Sequence, residues 1–545
     1  MQTNIFGEIE TFGLTIEQAA KVASVSTATI RNWIKTGYLI QSGKGLISDE
    51  SIRKFMLNVA GKEKLNYRAN KLLKDEDNHI AISNNIHTIF SKYTGEGIGK
   101  GYEESLSNSY RNREGIYYTP TWIVRDMLSK IKIKSNYTFL DPCCGSGNFI
   151  IEAIKMGVAP ENVYGFDLDE NAVVISKQRI KQEFGIETNN ILHGDFLHEA
   201  YNLNNRKIFF DLIFTNPPWG KKIDKEEKEK YSALYKCGNS LDTSSFFMAA
   251  SLSILKQGGF LGFLLQEAFF NIATFADMRK RVATSSILSF VDYEKPFKGL
   301  MTKAQAIIIE NKESKLKDKI ECSVKKRMFQ RSRESFERNP KHIFNFWTDE
   351  SEACVINRLY NIKHITLKHK AKWALGIVTG NNDRYCWRTP KEGYVPIYKG
   401  SDITKEGIKK PSTFILNDFS KFQQVAPMDM YEAKEKLIYK FISSDLCFYY
   451  DTEQRYVLNS ANILIPLNVG IPGDSLAKLL NSEIMNWLFK KLFSTHKVLR
   501  GDLESLPLHV DYFSEHQEFS EISYLDYLNI EKTKNGTFRI KEEDY

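Results

Sequence analysis

Short apolar runs alternate with helical patterns between about residue 116 and residue 310. The segments between the runs carry apolar residues at the spacing of an amphipathic helix. This alternation predicts an α/β domain built on a largely parallel sheet with helices on both faces. The runs are TFLD, VYGFD, ILHGD, DLIFTN, FLGFLL, ILSFVDY and AQAIIIE.

The chain before this region has a different pattern. TIEQAAKVA (15–23) and TATIRNWIKTGYL (27–39) predict two short helices joined by a turn, within a small helical unit over residues 1–60. Residues 61–110 are polar and predict a helical linker. Within it, we interpret the Gly-rich stretch TGEGIGKG (94–101) as a hinge.

With 545 residues, the chain is too long for one compact core, so several domains are expected. Residues 111–345 carry the alternating pattern. Residues 346–545 are rich in aromatic residues and turn signals, which predicts a separate mixed α+β domain. No apolar run is long enough to cross a bilayer, and the N-terminal sequence MQTNIFGEIE lacks the features of a signal peptide. We therefore expect a cytoplasmic protein.

The segment TFLDPCCGSGNFIIEAI (138–154) predicts a strand, a turn and a helix in succession. The strand ends at Asp141, and Gly145 and Gly147 would let the backbone pass close to a ligand where a side chain would block it. The spacing differs from the G-x-G-x-x-G of dinucleotide-binding proteins, and a plain tight turn is the alternative.

Two later strands also end near an aspartate. Asp167 closes VYGFD, at a position where an acid in doubly wound folds accepts hydrogen bonds from ribose hydroxyls. Asp195 follows ILHG and could accept from an adenine amino group, while Phe196 could stack on that ring. Because the carboxyl ends of parallel strands meet at one edge of a sheet, the aspartates together indicate a nucleotide-like ligand.

A buried strand in DLIFTNPPWG (211–220) runs directly into Asn216, Pro217, Pro218 and Trp219. The prolines stiffen the loop, so the side-chain carbonyl of Asn216 and the backbone carbonyl of Pro217 can point at one spot. An exocyclic amino group that donates to both becomes more tetrahedral and regains its lone pair for attack on a methyl sulfonium. This chemistry needs no metal and no covalent intermediate, and Trp219 offers a flat surface for a base. A strand-end turn with an incidental aromatic residue is the alternative.

Together these motifs resemble the catalytic domain of TaqI-type DNA adenine methyltransferases, whose motifs follow the gamma order. In that family a segment similar to GIYYTP (115–120) comes first and helps to bind the methionine end of the cofactor, and Tyr118, Thr119 and Pro120 match it. The Gly-rich turn, the N-P-P-Y motif or its variants, and a target-recognition domain follow. The resemblance covers roughly residues 115–510 and implies a Rossmann-like sheet that binds S-adenosylmethionine.

Two aromatic residues acquire roles through the same resemblance. Phe246 matches a wall of the adenine pocket of the cofactor, and Phe297 matches the residue that packs on the second face of a flipped base. The resemblance implies methylation of the N6 amino group of adenine in double-stranded DNA, within a restriction-modification system. Relatives can carry a fused nuclease, but we find no nuclease signature in this sequence, so a partner endonuclease, if there is one, is expected to be a separate protein. We expect a monomer. The family more often has Tyr at Trp219, but the lost hydroxyl does not carry the mechanism.

The N-terminal unit resembles helix-turn-helix domains of the MerR or excisionase type through residues 15–39. Arg31 and Lys35 would point from the second helix towards DNA, and KGLISDESIRKF (44–55) fits a short wing and a following helix. A helical pair used only for packing is the alternative. The apolar residues expected to form its core are Ala19, Val22, Val25, Ile30 and Trp33.

Other functions share parts of this pattern. N-P-P-Y also occurs in methyltransferases that act on protein glutamine or on guanine in RNA, although those chains are generally shorter and lack a large C-terminal domain. A cytosine-amino enzyme would more often carry Ser in place of Asn216. A DNA-binding regulator that only retains a methylase fold would not be expected to keep Asn216, Trp219, Asp167 and Gly145 together.

The cysteines of the turn and the positive charge of the chain can each be explained without a catalytic or binding role. Cys143 follows a proline, as the nucleophile of cytosine ring-carbon methyltransferases does, but we interpret Cys143 and Cys144 as small residues that fill a tight turn. The net charge of +8 fits a polyanionic partner, although many proteins without one share it. The basic stretches 325–342 and 363–373 are either solvated linkers or, beside a nucleic-acid enzyme, phosphate contacts.

Overall fold

The computed structural model of the protein falls into two compact units. One unit comprises Met1–His87 and Ser105–Asn112, and the other comprises Thr88–Glu104 and Arg113–Tyr545. None of the helices in the described ranges combines the length and the apolar character needed to span a membrane. The structure describes residues 13–23, 27–35, 39, 41–43, 46–48, 51–52, 86–105, 117–220, 223–297, 300, 302–493 and 497–541.

The described residues of the N-terminal unit up to Ile52 form two helices and a three-stranded antiparallel sheet. Its elements are β1 (Gly13–Thr15), α1 (Ile16–Ala23), α2 (Thr27–Lys35), β2 (Gln41–Gly43) and β3 (Leu46–Ser48). Strand β3 lies between β1 and β2 and pairs with both. The two helices agree with the sequence prediction for this unit, whereas its DNA-binding role stays a prediction.

The helices and the sheet of this unit enclose a small apolar core. Val22 is 53% exposed, so its predicted place in the core is wrong. It lies about 110° around α1 from the middle of the face that Ala19 and Ala20 bury, because each helical residue turns by about 100°. Val25 lies outside the described residues. Arg31 is exposed on α2, and the side chain of Lys35, which ends that helix, is not described. The core residues are Ala19, Ala20, Ile30, Trp33, Leu39, Ile47 and Ile52.

Among the described residues, three further helices lie between the N-terminal elements and the central sheet in sequence. They are α3 (Ile86–Lys92), α4 (Glu96–Ser105) and α5 (Thr121–Ser129). Helix α4 occupies most of the Gly-rich stretch that we interpreted as a hinge, so that interpretation is wrong.

The central sheet has nine strands in the order β12-β11-β9-β10-β8-β7-β4-β5-β6. The strands are β4 (Phe139–Asp141), β5 (Val163–Asp167), β6 (Ile191–His193), β7 (Phe210–Thr215), β8 (Leu255–Gln266), β9 (Ser285–Asp292), β10 (Ala304–Glu313), β11 (Lys319–Val324) and β12 (Arg327–Ser332). Every apolar run singled out in the sequence forms one of these strands. The helices between them are α6 (Asn148–Lys155), α7 (Glu170–Phe184), α8 (Phe196–Asn205), α9 (Lys225–Tyr235), α10 (Thr243–Ser253), α11 (Ala268–Asn271) and α12 (Ala276–Val282).

The sheet is mixed rather than uniformly parallel. Strands β4 to β8 pair only in parallel with one another, as predicted. Strand β10, however, is inserted antiparallel between β8 and β9, and β12 pairs antiparallel with β11. The connections that lead into β10 and β12 are short, and a short connection favours antiparallel pairing because a parallel return needs a long crossover.

Apolar side chains cover both faces of the sheet. On β4, Phe139 joins one buried cluster and Leu140 joins the other. On β7, Leu212 and Phe214 face the first cluster while Ile213 faces the second. This alternation across two buried faces explains why the strands read as continuous apolar runs.

The C-terminal region contains two four-stranded sheets and one two-stranded sheet, in the orders β13-β20-β17-β18, β14-β16-β15-β19 and β21-β22. The strands are β13 (Ala371–Leu375), β14 (Cys386–Trp387), β15 (Tyr394–Tyr398), β16 (Phe414–Leu416), β17 (Lys436–Lys440), β18 (Phe448–Asp451), β19 (Tyr456–Val457), β20 (Ala461–Pro466), β21 (Ile530–Lys532) and β22 (Phe538–Ile540). The helices are α13 (Glu350–Asn361), α14 (Asn382–Tyr385), α15 (Met428–Tyr431), α16 (Gly473–Asn481), α17 (Glu483–Leu492), α18 (Arg500–Leu503), α19 (Val510–Glu515) and α20 (Glu521–Leu528). This is the mixed α+β character that the sequence predicts.

The basic stretch 325–342 is used partly inside the protein. Arg331 is fully buried, and its guanidinium donates to the carbonyl of Asn345 at 2.8 Å. The Nζ atom of Lys341 lies 3.5 Å from the carboxylate of Asp502. The interpretation of this stretch as phosphate contacts is therefore wrong for Arg331 and Lys341, because their charges are committed to internal partners.

Candidate active site

A glycine turn, residues 142–147, links β4 to α6. Gly145 and Gly147 both have positive φ, at 50° and 86°, which only glycine adopts without strain. A Cβ added to Gly147 would come within 2.4 Å of Ser176 Oγ, whereas one added to Gly145 would meet no atom within 4 Å. Gly147 therefore lets α6 pack against α7, and Gly145 leaves open space beside the backbone.

An open cleft of about 630 Å³, which includes space continuous with solvent, lies over the glycine turn. It is bounded by the carboxyl ends of β4 and β5, by the loop after β7 and by α4. In doubly wound folds this edge of the sheet is where ligands bind. The lining residues are Gly99, Tyr102, Tyr117, Tyr118, Thr119, Asp141, Cys143, Cys144, Gly145, Ser146, Asn148, Phe149, Asp167, Asp169, Ala172 and Asn216.

Asp141 is the most deeply buried carboxyl group of the cleft. Its Oδ1 atom accepts from Thr215 Oγ1 at 2.6 Å and from the backbone N–H of Cys143 at 3.2 Å. Burial raises the pKa of Asp141 to about 7, because it disfavours the charged form, and the neighbouring Asp167 carboxylate acts in the same direction. Asp141 is therefore close to its titration midpoint at neutral pH.

Asp167 holds the backbone on both sides of the cleft. One carboxylate oxygen accepts from the N–H of Gly145 at 2.8 Å, and the other accepts from the N–H of Asp169 at 2.9 Å. Asp169 in turn caps α7 by accepting from the N–H of Asn171, and it also accepts from the hydroxyl of Tyr102. Asp167 thus fixes the shape of the glycine turn as well as lining the cleft.

The NPPW loop, residues 216–219, begins where β7 reaches the cleft. The Nδ2 atom of Asn216 donates to Thr119 Oγ1 at 3.1 Å. The Oδ1 atom of the same side chain is buried, and no group among the described residues donates to it. A buried acceptor without a donor is costly, so its persistence at a ligand-sized cleft points to a donor on the ligand.

Trp219, Phe297 and Tyr117 form an aromatic cluster beside this loop. The Trp219 and Phe297 rings are 5.3 Å apart and nearly perpendicular, at 84°. Tyr117 lies 6.4 Å from Trp219 and 5.7 Å from Phe297. A base stacked between two parallel rings needs them about 7 Å apart, twice the ~3.5 Å contact distance between carbon atoms. In this structure, therefore, the two rings stand closer than a bound base would allow.

Two of the three matched residues of the GIYYTP segment (115–120) lie in the cleft. Tyr118 and Thr119 line it, and Pro120 is the residue before α5, where its fixed φ suits the start of a helix. The Nδ2 atom of Asn148 donates to the Thr119 carbonyl at 2.8 Å and so ties this segment to the glycine turn.

Three other predicted cofactor residues lie outside the cleft lining. Asp195 caps α8 by accepting from the N–H of Leu197 at 2.9 Å, and its second oxygen accepts from the hydroxyl of Tyr231 at 2.9 Å. Phe196 and Phe246 are buried in the apolar core on that side of the sheet. Their proposed contacts with an adenine ring stay predictions.

The sequence reasoning missed the contribution of α4. Tyr102 of this helix contacts Asp169, and a Cβ added to Gly99 would come within 2.4 Å of Ser146 Oγ. The glycine-rich stretch could have indicated this packing, because glycines allow a helix to pack closely as readily as they allow a hinge. Within the described ranges, no group of three or more His, Cys, Asp or Glu side chains is placed to hold a metal ion.

Comparisons with known proteins identify the family of the chain. Residues 95–366 match the family described as N-6 DNA Methylase, and residues 395–508 match the TaqI-like C-terminal specificity domain. Type II methyltransferase M.VspI from Vibrio sp. (strain 343) is 44% identical over 409 residues, which is 74% of this chain and 100% of the relative. Modification methylase CviBIII from Paramecium bursaria Chlorella virus NC1A is 25% identical over 219 residues, 38% of this chain and 53% of the relative.

A solved structure supports the fold alone. The Type IIL restriction-modification enzyme MmeI in complex with DNA superposes with a TM-score of 0.51 at 12% identity, over 76% of this chain and 71% of that one. The family match, the M.VspI relationship and the cleft with its NPPW loop lead to one conclusion. The chain belongs to the N-6 DNA methylase family with a TaqI-like C-terminal specificity domain, and it is a DNA methyltransferase of the restriction-modification type.

Proposed function

We propose that the protein transfers the methyl group of S-adenosylmethionine to the N6 amino group of an adenine that is flipped out of duplex DNA. The observation that carries this proposal is the buried Oδ1 atom of Asn216, which lacks a donor among the described residues. Thr119 engages the Nδ2 side of the same amide, so the carbonyl side is the one left for the substrate. An exocyclic amino group is the donor that suits it.

The activation step needs two acceptors on one nitrogen. Asn216 Oδ1 supplies one, and the carbonyl of Pro217 supplies the other. Hydrogen bonds to both favour a tetrahedral amino nitrogen and withdraw its lone pair from conjugation with the ring, which makes the nitrogen nucleophilic. Because Pro217 and Pro218 restrict the backbone, the two acceptors are held in place before the substrate arrives.

The residues of the cleft fit S-adenosylmethionine. The open space beside Gly145 would be filled by any larger side chain, and Asp167 provides a carboxylate at the strand end where ribose hydroxyls are bound in doubly wound folds. Tyr118, Thr119 and Pro120 would lie at the methionine end. When bound, S-adenosylmethionine supplies an electrophilic methyl group on a sulfonium. The aromatic cluster of Trp219, Phe297 and Tyr117 would receive the flipped base once the first two rings separate.

We also propose a partner endonuclease for this protein and a DNA-binding role for its N-terminal unit. M.VspI is named as a Type II methyltransferase, and by analogy we propose that a separate endonuclease shares the target sequence of this protein. The exposed Arg31 on α2 and Lys35 at its end are proposed to contact DNA phosphates or bases.

The proposal is tested with Asn216→Ala. Removal of the acceptor is expected to reduce methyl transfer by about a hundredfold or more, while the affinity for S-adenosylmethionine stays within about twofold, since Asn216 acts on the base. Tritiated-methyl incorporation into DNA measures the first quantity and calorimetric titration the second. Mapping of modified adenines in treated plasmid DNA identifies the target base. Full turnover by the variant, or methylation of cytosine alone, would contradict the proposal.

A further inference from the structure

A small hydrogen-bond cluster connects the glycine turn with the NPPW loop. The Sγ atom of Cys143 lies 2.9 Å from Thr215 Oγ1 and 3.2 Å from the backbone carbonyl oxygen of Asn216. Thr215 Oγ1 in turn lies 2.6 Å from Asp141 Oδ1. The cluster therefore joins a cleft carboxyl group to the first peptide carbonyl of the NPPW loop, across two strands that are 74 residues apart in sequence.

The donors and acceptors of this cluster can be assigned. The single hydroxyl hydrogen of Thr215 is donated to Asp141 Oδ1 at 2.6 Å. The thiol of Cys143 is then the donor in its own contacts, and its hydrogen is shared between Thr215 Oγ1 and the Asn216 carbonyl. Burial raises the pKa of this thiol well above its usual value, so the hydrogen is retained at neutral pH. A raised pKa also disfavours the thiolate form that a nucleophile of the kind found in cytosine ring-carbon enzymes needs.

The Asn216 carbonyl matters because of the residue that follows it. Pro217 has no N–H, so the peptide unit between Asn216 and Pro217 can be held by hydrogen bonds only through its carbonyl. Rotation of this unit would move the Asn216 side chain and the Pro217 carbonyl together, and these are the two acceptors proposed for the target amino group. We propose that Cys143 and Thr215 are positioning residues that fix this peptide unit for methyl transfer, an inference that rests on the proposed function.

The proposal predicts a defect in the transfer step and not in binding. Cys143→Ala removes the donor to the Asn216 carbonyl, and we expect single-turnover methyl transfer to slow by at least about tenfold, because small displacements of catalytic groups have large effects on rate. The rates are compared at saturating S-adenosylmethionine, because Cys143 lines the cleft, and the dissociation constant for DNA should remain within about twofold. Cys143→Ser keeps a hydrogen-bond donor of similar size and should recover most of the rate.

A matched control separates positioning from the cost of a buried cavity. Cys322 is a buried thiol on β11 outside the cleft, and Cys322→Ala removes the same atoms from the core. Because Cys143 is half-buried and Cys322 is fully buried, we expect Cys322→Ala to lower the melting temperature at least as much as Cys143→Ala, while only Cys143→Ala slows transfer. In addition, Cys143→Ala combined with Thr215→Val should be no slower than Cys143→Ala alone, since the Thr215 hydroxyl is connected to the Asn216 carbonyl through Cys143.

Two outcomes would overturn the proposal: a Cys143→Ala enzyme that transfers methyl groups at the wild-type rate, or a folded Cys143→Ser enzyme as slow as Cys143→Ala. Asn216→Ala in the same single-turnover assay distinguishes the two levels of inference. If Asn216→Ala loses transfer and Cys143→Ala does not, only the positioning role fails. If Asn216→Ala retains full transfer, the proposed function fails with it.

Discussion

At the scale of single residues, Asp167 combines two tasks in one carboxylate. It accepts from the backbone N–H groups of Gly145 and Asp169, and it lines the cleft at the position expected for a ribose ligand. A carboxylate has four lone-pair sites, so one such group can accept from several donors at once. The same atoms can thus hold the glycine turn in shape and bind the cofactor.

This double role predicts a binding defect for Asp167→Ala. The affinity for S-adenosylmethionine should fall by about tenfold or more, because hydrogen bonds to a charged group contribute about 1.5–3 kcal/mol. Calorimetric titration measures the change. Asp349→Ala is a suitable control, since Asp349 caps α13 with its own carboxylate, away from the cleft. Unchanged affinity in Asp167→Ala would remove this residue from the cofactor site.

At the scale of secondary structure elements, helix α4 forms one wall of the cleft. Gly99 faces Ser146 of the glycine turn and the ring of Tyr118, and any side chain there would meet these groups at 2.4 Å and 3.1 Å. One turn further along α4, Tyr102 donates to Asp169. A helix that seemed from its glycines to be a hinge is therefore packed onto the cofactor region.

Two alanine substitutions in α4 test this packing. Gly99→Ala should displace Ser146 and weaken S-adenosylmethionine binding by about tenfold, because overpacking commonly costs 1–3 kcal/mol. Gly97→Ala adds the same methyl group to the same helix, but there the Cβ meets Tyr93 at an ordinary 3.7 Å. Gly97→Ala should leave the affinity unchanged and, through higher helix propensity, slightly raise the melting temperature. Equal affinities in the two variants would show that α4 does not shape the cofactor site.

At the scale of the whole molecule, the order of the sheet assembles the active site. Strand β4 lies between β7 and β5, and Leu140 on β4 pairs with Ile213 on β7. The chain leaves β4 towards β5 on one side and returns to β7 on the other, which makes this a topological switch point with a crevice at the carboxyl ends of the strands. The glycine turn and the NPPW loop meet in that crevice.

A measurement of base flipping tests whether the aromatic cluster beside the NPPW loop receives the target base. The Trp219 and Phe297 rings are too close for a base to stack between them, so binding of a flipped adenine must separate them. We expect DNA that carries 2-aminopurine at the methylated position to gain fluorescence with the enzyme, and DNA that carries it elsewhere to show no change. Stacking on Trp219 could quench the signal, so Trp219→Ala is measured in parallel and should bind DNA but transfer methyl groups more slowly. If neither enzyme unstacks the analogue, duplex DNA is not flipped at this site.

Much of the fold and part of the site followed from the sequence. The strands were predictable because each is buried on both faces and reads as a continuous apolar run, as in DLIFT before Asn216. Gly145, Gly147 and the two prolines of the NPPW loop were predictable because they restrict the backbone locally, whatever surrounds them. The insertion of β10 between β8 and β9 was not, since strand order depends on pairing between distant segments.

The sequence by itself determined most of the elements, the glycine turn and the NPPW tetrapeptide to which we assign the chemistry, because these depend on neighbours along the chain. Only the tertiary structure decided which groups meet: Cys143 with Thr215, Tyr102 with Asp169, and Asp195 with Tyr231. It also decided that Arg331 is an internal residue and not a phosphate contact. The physical reason is that hydrogen bonds and burial between residues far apart in sequence are set by the packing of strands and helices, and the local pattern does not specify that packing.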